Sequence, residues 1–196
     1  MWETGYVEIA HKMAEHNMLD WRKTDTRRVI CLDPHDYITI IEHYPALDAN
    51  FDEFEIVLAV DLIAELIRER KLKLTTPVPR TVTYHDPCRL NKRMGVWQSP
   101  REILRAIPGL DLVDVDHVTQ WSYCSGAGSN LWVEKPELTA EISRRRIAKA
   151  RELDGVDVLV SACPWSERPL TEQGEAQGIE VFDIFELVAE AAGFEV

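Results

Sequence analysis

The sequence predicts an α/β fold: short, mostly parallel sheets flanked by helices, in two pseudo-repeats, one partial and one complete. Three observations carry this. Short apolar, β-branched runs such as Thr81-Val82-Thr83-Tyr84 alternate with stretches whose apolar residues recur at helical spacing. Turn residues separate the two kinds of segment, as in Asp33-Pro34-His35-Asp36 and Cys163-Pro164-Trp165-Ser166. The chain also overlays on itself. Residues 29–36 lie over 159–166 at an offset of 130, and residues 56–65 over 181–190 at an offset of 125, where Leu-Ile-Ala-Glu meets Leu-Val-Ala-Glu.

Taken in order, residues 6–22 read as an amphipathic helix, with Val7, Ala10, Ala14, Met18 and either Trp21 or Leu19 recurring at helical spacing and Glu8, Lys12, Glu15 and Asp20 between them. His11 and His16 belong to its solvated side. Residues 27–32 read as a short buried strand ended by Asp33-Pro34, and residues 37–44 as a helix closed by Pro45. A second strand is expected over 54–60 and a helix from Leu62 to Lys71. Thr75-Thr76-Pro77-Val78-Pro79 is a linker, which divides the chain into 1–75 and 76–196. Strand 81–84 then leads into the turn at Cys88. A helix is expected over 100–107, with Ser99 as N-cap and Pro100 in its first turn. Residues 112–115 read as a strand. Residues 137–153 read as a long helix whose basic residues, Arg144, Arg145, Arg146, Lys149 and Arg151, suit its C-terminal dipole. Strands over 156–162 and 181–184 and a helix over 185–192 complete the chain.

Each copy of the overlay is preceded by an amphipathic helix. Residues 1–75 therefore read as the second half of one repeat and 76–196 as one whole repeat, so the chain starts partway into the first. The missing strands are expected to leave an apolar surface lined by Trp2, Tyr6 and Trp21.

A net charge of −12, with no basic run, argues against nucleic acid and against anionic membrane surfaces. No window of about 18 apolar residues exists, so no transmembrane segment is expected. Met1-Trp2-Glu3-Thr4-Gly5 lacks the basic and apolar regions of a secretory signal. Four cysteines without close pairing suit a reducing, cytoplasmic setting better than a disulfide scaffold.

Three of those cysteines stand at the mouths of turns: Cys88 in Asp86-Pro87-Cys88-Arg89-Leu90, Cys124 in Cys124-Ser125-Gly126-Ala127-Gly128, and Cys163 in Cys163-Pro164-Trp165-Ser166. Gaps of 36 and 39 positions are too long for a zinc finger, whose ligands come in close pairs. They suit one thiol from each successive strand–turn–helix unit, converging on one point. Cys31 lies on a strand and reads as a small buried hydrophobe.

At these residues the chain resembles the cysteine-rich (CCG) domain found in heterodisulfide reductase and its relatives, among them the iron–sulfur subunits of glycolate and lactate oxidases. The family pattern is a Cys after a strand, then Cys-Cys-Gly, then Cys-Pro-x-Cys. The segment after Cys88 agrees too, in Gly95-Val96-Trp97, Pro100-Arg101-Glu102-Ile103-Leu104 and Ile107-Pro108-Gly109, so the resemblance covers roughly 76–196. Two of the five usual cysteines are serine here, Ser125 and Ser166. Through the overlay, Asp33 and Asp36 stand where the second repeat has Cys163 and Ser166, so residues 1–75 read as a degenerate, structural repeat.

The resemblance implies an oxidoreductase subunit that transfers electrons or handles thiol–disulfide chemistry beside a flavoprotein or a ferredoxin-like iron–sulfur protein. Membrane association would come only through such a partner. The relatives' cluster, a non-cubane pair of fused iron–sulfur units, uses five cysteines. Three thiolates, Cys88, Cys124 and Cys163, fit instead an ordinary [4Fe-4S] cluster with one iron open to water, to a substrate, or to Ser125 or Ser166. Gly126 and Gly128 fit the glycine-rich turn that brings backbone N–H groups to cluster sulfurs, and Arg89 is placed to balance cluster charge. Two other expectations stand beside this one: zinc with His85 as fourth ligand, and a cluster-free subunit that acts as a scaffold. The catalytic residues are not legible.

Overall fold

A computed structural model describes residues 2–115 and 121–195. The chain divides into two compact units, one up to Ala59 and one from Val60.

The first unit holds α1 (Val7–Lys23), β1 (Arg28–Cys31), α2 (Pro34–His43) and β2 (Glu55–Leu58). The two strands are parallel, with Val29 opposite Ile56 and Cys31 opposite Leu58. Asp33 caps α2, its carboxylate accepting from the His35 backbone N–H at 2.9 Å, and Pro34 opens the helix where no N–H partner is needed. Ala14 and Met18 of α1 pack with Cys31, Ile40, Tyr44, Phe51 and Phe54.

Trp21 corrects an expectation. It lies one turn beyond Met18 on the same stripe and packs into this core, edge-on to Phe54 with ring centroids 5.2 Å apart. The exposed apolar side chains of α1 are Val7, Ile9, Met13 and Leu19, with Tyr6 just before it. Trp2 stacks on the His43 ring at 4.3 Å, and His16 pairs with Asp20 at 3.2 Å on the solvated side.

The second unit begins with α3 (Ala59–Arg68) and continues through β3 (Thr81–Tyr84), α4 (Gln98–Ala106), β4 (Asp111–Leu112), α5 (Leu131–Glu134), α6 (Pro136–Arg151), β5 (Val158–Ser161), α7 (Pro164–Gln177), β6 (Glu180–Asp183) and α8 (Ile184–Ala191). Among the described residues its four strands are all parallel, in the order β4-β3-β5-β6. Thr83, Leu159 and Val181 share one face by register. Leu159 packs there with Ile147 and Ala150 of α6 and Leu170 of α7. Strand alternation turns Tyr84 to the other face, where the Arg101 guanidinium of α4 lies 5.3 Å from its ring. Helices thus cover both faces, and the carboxyl ends of the inner strands β3 and β5 lie side by side.

Several boundaries differ from expectation. The apolar run 54–60 divides, with strand to Leu58 and helix from Ala59. The strand expected over 112–115 is only Asp111–Leu112, and residues 116–120 beyond it lie outside the described residues. The N-cap of α4 is Trp97, not Ser99, whose hydroxyl donates to Asp61 Oδ1 at 2.5 Å. Pro100 still falls in the first turn, where backbone donors have no helical acceptor. The helix α7 carries Pro169 in its interior and Gly174, both buried, and these breakers hid it in the sequence. Gly174 has a packing reason, because a Cβ there would meet the Ile179 carbonyl at 2.7 Å. Among the described residues no helix is long and apolar enough to cross a membrane.

Candidate metal centre

Three chain segments meet beyond the carboxyl ends of β3 and β5. Cys88 leaves β3 through His85-Asp86-Pro87 and starts a π-helical turn, Arg89–Arg93. Within that turn Leu90 and Asn91 point inward. The Asn91 amide donates to Ser122 Oγ at 2.9 Å, and Ser122 Oγ donates to the Asp86 carbonyl at 3.4 Å. These bonds fix the Cys88 turn to the segment that carries Cys124, two residues on.

The Cys124 segment is held in turn to the Cys163 segment. Ser125 Oγ donates to Ser166 Oγ at 3.1 Å, and both serines are buried. The two hydroxyls that replace family cysteines therefore touch each other. Gly126 donates its backbone N–H to Cys124 Sγ at 3.2 Å. It does so with φ +90°, and a Cβ there would lie 2.9 Å from the Thr139 carbonyl, so no other residue fits. Thr139 and Ser143 of α6 hold this loop from behind, donating to the carbonyls of Gly126 and Ser125 at 2.8 and 2.5 Å.

Cys163 heads α7 in extended backbone and makes no side-chain cap to the helix. It is buried, Cys88 is half-buried and Cys124 is exposed. No disulfide joins the four cysteines. Burial first, then the neighbouring thiols of Cys124 and Cys163, pushes the Cys88 thiol above its ordinary range. The three predicted thiols thus share one electrostatic neighbourhood. Burial and Arg93 lower the Arg89 guanidinium, while Cys163 pulls it the other way, which puts Arg89 beside the buried thiol. Tyr123 and Trp165, beside Cys124 and Cys163 in sequence, are 42% and 40% exposed. Cys31 sits in the first unit, buried as expected, its thiol pushed up to about 11 by burial and then by Asp36 and Asp33.

Two buried arginines brace the segment before Cys88. Arg101 makes a bidentate bond to Asp86, 2.8 Å on each side, and also pairs with Asp114 at 3.0 Å. Burial works against its charge, yet the bonds to Asp86 and Asp114 outweigh that and hold its pKa above the ordinary value. Arg146, one of the basic residues in the C-terminal half of α6, is 3% exposed. It falls on the buried stripe of Thr139, Ser143, Arg146 and Ala150, a spacing that carries the signal for its burial. Its Nε donates to His85 Nδ1 at 3.2 Å and its Nη2 to the Tyr84 carbonyl at 3.2 Å. Burial, then Arg146 and Lys92, hold the His85 ring well below its ordinary pKa.

Next to the Cys163 turn, an open cleft of about 520 Å³ is walled by Trp132, Trp165, Pro136, Pro164, Pro169 and Arg168, among others. Arg168 lies over the Trp132 ring at 4.5 Å.

The chain is 34% identical over 97% of its length to one subunit of the dihydromethanophenazine:CoB–CoM heterodisulfide reductase from Methanosarcina barkeri, of which it covers 47%. It is 34% identical over 95% of its length to the probable iron-sulfur-binding oxidoreductase FadF of Bacillus subtilis, covering 26% of that protein. It is 30% identical over 96% of its length to one subunit of the fumarate reductase (CoM/CoB) of Methanothermobacter marburgensis, covering 37%. The chain spans about half the length of the heterodisulfide reductase polypeptides it matches. The cysteine-rich domain model, CCG, matches residues 82–165, the segment that carries Cys88, Cys124 and Cys163. Residues 82–165 of this chain belong to the CCG family of cysteine-rich domains.

Proposed function

We propose that this chain is an iron–sulfur electron-transfer subunit of heterodisulfide-reductase type, working within a larger redox complex. The observation that carries the reading is the buried Ser125–Ser166 contact, which ties the Cys124 turn to the Cys163 turn, together with the Asn91–Ser122 bond that ties the Cys88 turn to the Cys124 segment. The donor set fits such a group: three soft thiolates, an N–H already aimed at Cys124 Sγ, and a glycine where a Cβ has no room. An iron–sulfur cluster supplies one-electron transfer. Cys88, Cys124 and Cys163 would hold it, in a [4Fe-4S] form whose fourth iron position faces water, a substrate, Ser125 or Ser166.

The chain's own residues do the rest. Gly126 shields charge on the Cys124 sulfur through its N–H, and the Asn91–Ser122–Asp86 bonds keep the first two segments in place. Residues 76–196 act as the complete repeat, and 1–75 as its partial, ligand-free counterpart. The exposed Trp121, Tyr123 and Trp165 flank Cys124 and Cys163 and offer a contact surface to a flavoprotein or a ferredoxin-like partner. Zinc is served less well, because His85 Nδ1 already accepts from Arg146, so the ring proton sits on Nε2 and neither nitrogen offers a lone pair.

Anaerobic reconstitution with iron and sulfide tests the reading. A brown chain with broad visible absorption and stoichiometric iron and sulfide is expected. A colourless chain without iron would leave the cluster-free scaffold as the function.

A further inference from the structure

Arg146 is a buried cation without an acid. It is 3% exposed, and among the described residues no carboxylate lies within ion-pairing distance of it. Its Nη1 has no hydrogen-bond partner among the described residues. The one acidic side chain that influences it, Asp86, is held in a bidentate bond by Arg101. An uncompensated buried charge is costly, and a protein that keeps one has a use for it.

The surroundings of Arg146 say what the use is. The stripe of α6 that carries it fastens the cysteine site from beneath. Thr139 and Ser143 bind the loop after Cys124, and Arg146 binds the Tyr84 carbonyl and His85 at the end of the strand that leads to Cys88. A guanidinium is always a donor, so His85 Nδ1 is the acceptor and the ring proton is confined to Nε2. The cation and its imidazole partner therefore lie behind the end of the strand that leads to Cys88, on the helix stripe that also holds the loop after Cys124.

We propose that Arg146 is the counter-charge of the anionic group held by Cys88, Cys124 and Cys163, and that with His85 as its positioning link it raises that group's reduction potential. This rests on the iron–sulfur reading above. An electron added to a cluster beside a fixed cation is stabilised, in low dielectric, by far more than the same pair in water. The charge of Arg146 is thus balanced only when the site is filled.

The test compares the parent chain with Arg146→Met, which removes the charge at similar volume, Arg146→Gln, which keeps a donor without charge, and Arg146→Lys, which keeps the charge. Iron and sulfide are counted first, and the midpoint potential is then read by titration followed by paramagnetic resonance. At a fixed ambient potential, the reduced-to-oxidised ratio is expected to fall about tenfold in Arg146→Met and Arg146→Gln and to return to near the parent value in Arg146→Lys. Equal shifts in all three variants, or none in any, would overturn the proposal, since a merely structural arginine does not distinguish charge from shape.

Melting of the apo chains supplies an arm that needs no cluster. Arg146→Met also takes the donors from the Tyr84 carbonyl and His85 Nδ1, so the apo comparison is between Arg146→Gln and Arg146→Lys, two shorter donors that differ in charge, and the Gln variant is expected to melt no lower than the Lys variant. A clearly higher midpoint for Arg146→Lys would mean that the charge is already balanced without a bound group, and the inference would be lost. A parent chain that binds no iron would instead count against the cluster reading, with the apo melts still deciding the balance of Arg146.

Discussion

The turns that begin α2 and α7 share a backbone plan and differ in chemistry. Each follows a parallel strand and places Pro at the first helical position. In the first unit Asp33 turns its carboxylate onto the helix, accepting from His35 N and also contacting His35 Nδ1 at 3.1 Å. In the second unit Cys163 stands at the matching point and makes no such cap. A carboxylate is a strong acceptor for the first-turn N–H groups and a thiol a weak one, a difference of about 1 kcal/mol of helix stability. The comparison teaches how one frame serves two ends: a residue that caps its helix is committed to the fold, and one that does not can face a ligand.

The most severe way to break the comparison is to take the thiols out one at a time. Cys88→Ser, Cys124→Ser and Cys163→Ser are each expected to reduce reconstituted iron to background, because two thiolates remain in the set. Cys31→Ser is expected to keep the iron of the parent, and metal analysis beside the visible spectrum reads both outcomes. The reverse exchange sharpens it. Ser125→Cys with Ser166→Cys is expected to raise iron per chain and alter the paramagnetic resonance signal, since the two hydroxyls already meet at 3.1 Å. Equal iron in the parent and the two-serine variant would mean that the hydroxyl positions do not reach the cluster.

Ion pairs offer the next contrast. Arg101 and Asp86 are 4% and 1% exposed, whereas Arg28 and Glu55, which bridge β1 and β2, are 55% and 57% exposed. Arg101→Ala is expected to cost about 3–5 kcal/mol in urea unfolding, because it takes the bidentate cation from a buried carboxylate. Arg28→Ala is expected to cost less than about 1 kcal/mol in the same measurement. A similar cost for the two would contradict the burial that separates them.

A pH dependence follows from Asp183, at the end of β6, whose overlay counterpart in β2 is the apolar Leu58. Burial first, then Glu167 and Glu186, raise the Asp183 carboxyl from 3.8 to about 7, against the lowering effect of its bond from Phe185 N. The folded chain therefore binds that proton more tightly than the unfolded one. Its unfavourable contribution is absent below about pH 4, grows as pH rises, and is complete above about pH 7. Asp183→Asn is expected to flatten the decline in stability over that window, and an unchanged pH profile would show that Asp183 titrates normally. The smallest effect is on the cap itself: Asp33→Ala is expected to cost about 1 kcal/mol in thermal unfolding.

Much of this architecture is legible in the sequence. Period-two and period-3.6 patterns locate β1, β3, β5 and β6 and the long helices α1 and α6 to within a few residues, because each buries one face against a neighbour. The cysteine turns are legible because thiols at strand ends are rare without a reason. What stays hidden has physical causes. The helix α7 contains Pro169 and Gly174, which tertiary packing overrides. Trp21 looks like a surface anchor because burial depends on which partner meets a stripe, and the stripe alone does not say. Arg101 and Arg146 look like surface charges because their acceptors, Asp86, His85 and the Tyr84 carbonyl, lie far away along the chain.

The strand order β4-β3-β5-β6 has a consequence for the timing of assembly. The inner partner of β3 is β5, with Val82 beside Val158, so most of the second unit must be synthesised before the pair can form. Cys88 and Cys163 cannot become neighbours until that late strand docks. Contacts this distant in sequence close slowly, and during that interval Cys88 is an open thiol on an unfinished sheet. Delivery of any metal therefore belongs after synthesis, and a reducing environment protects the chain most while it is still emerging.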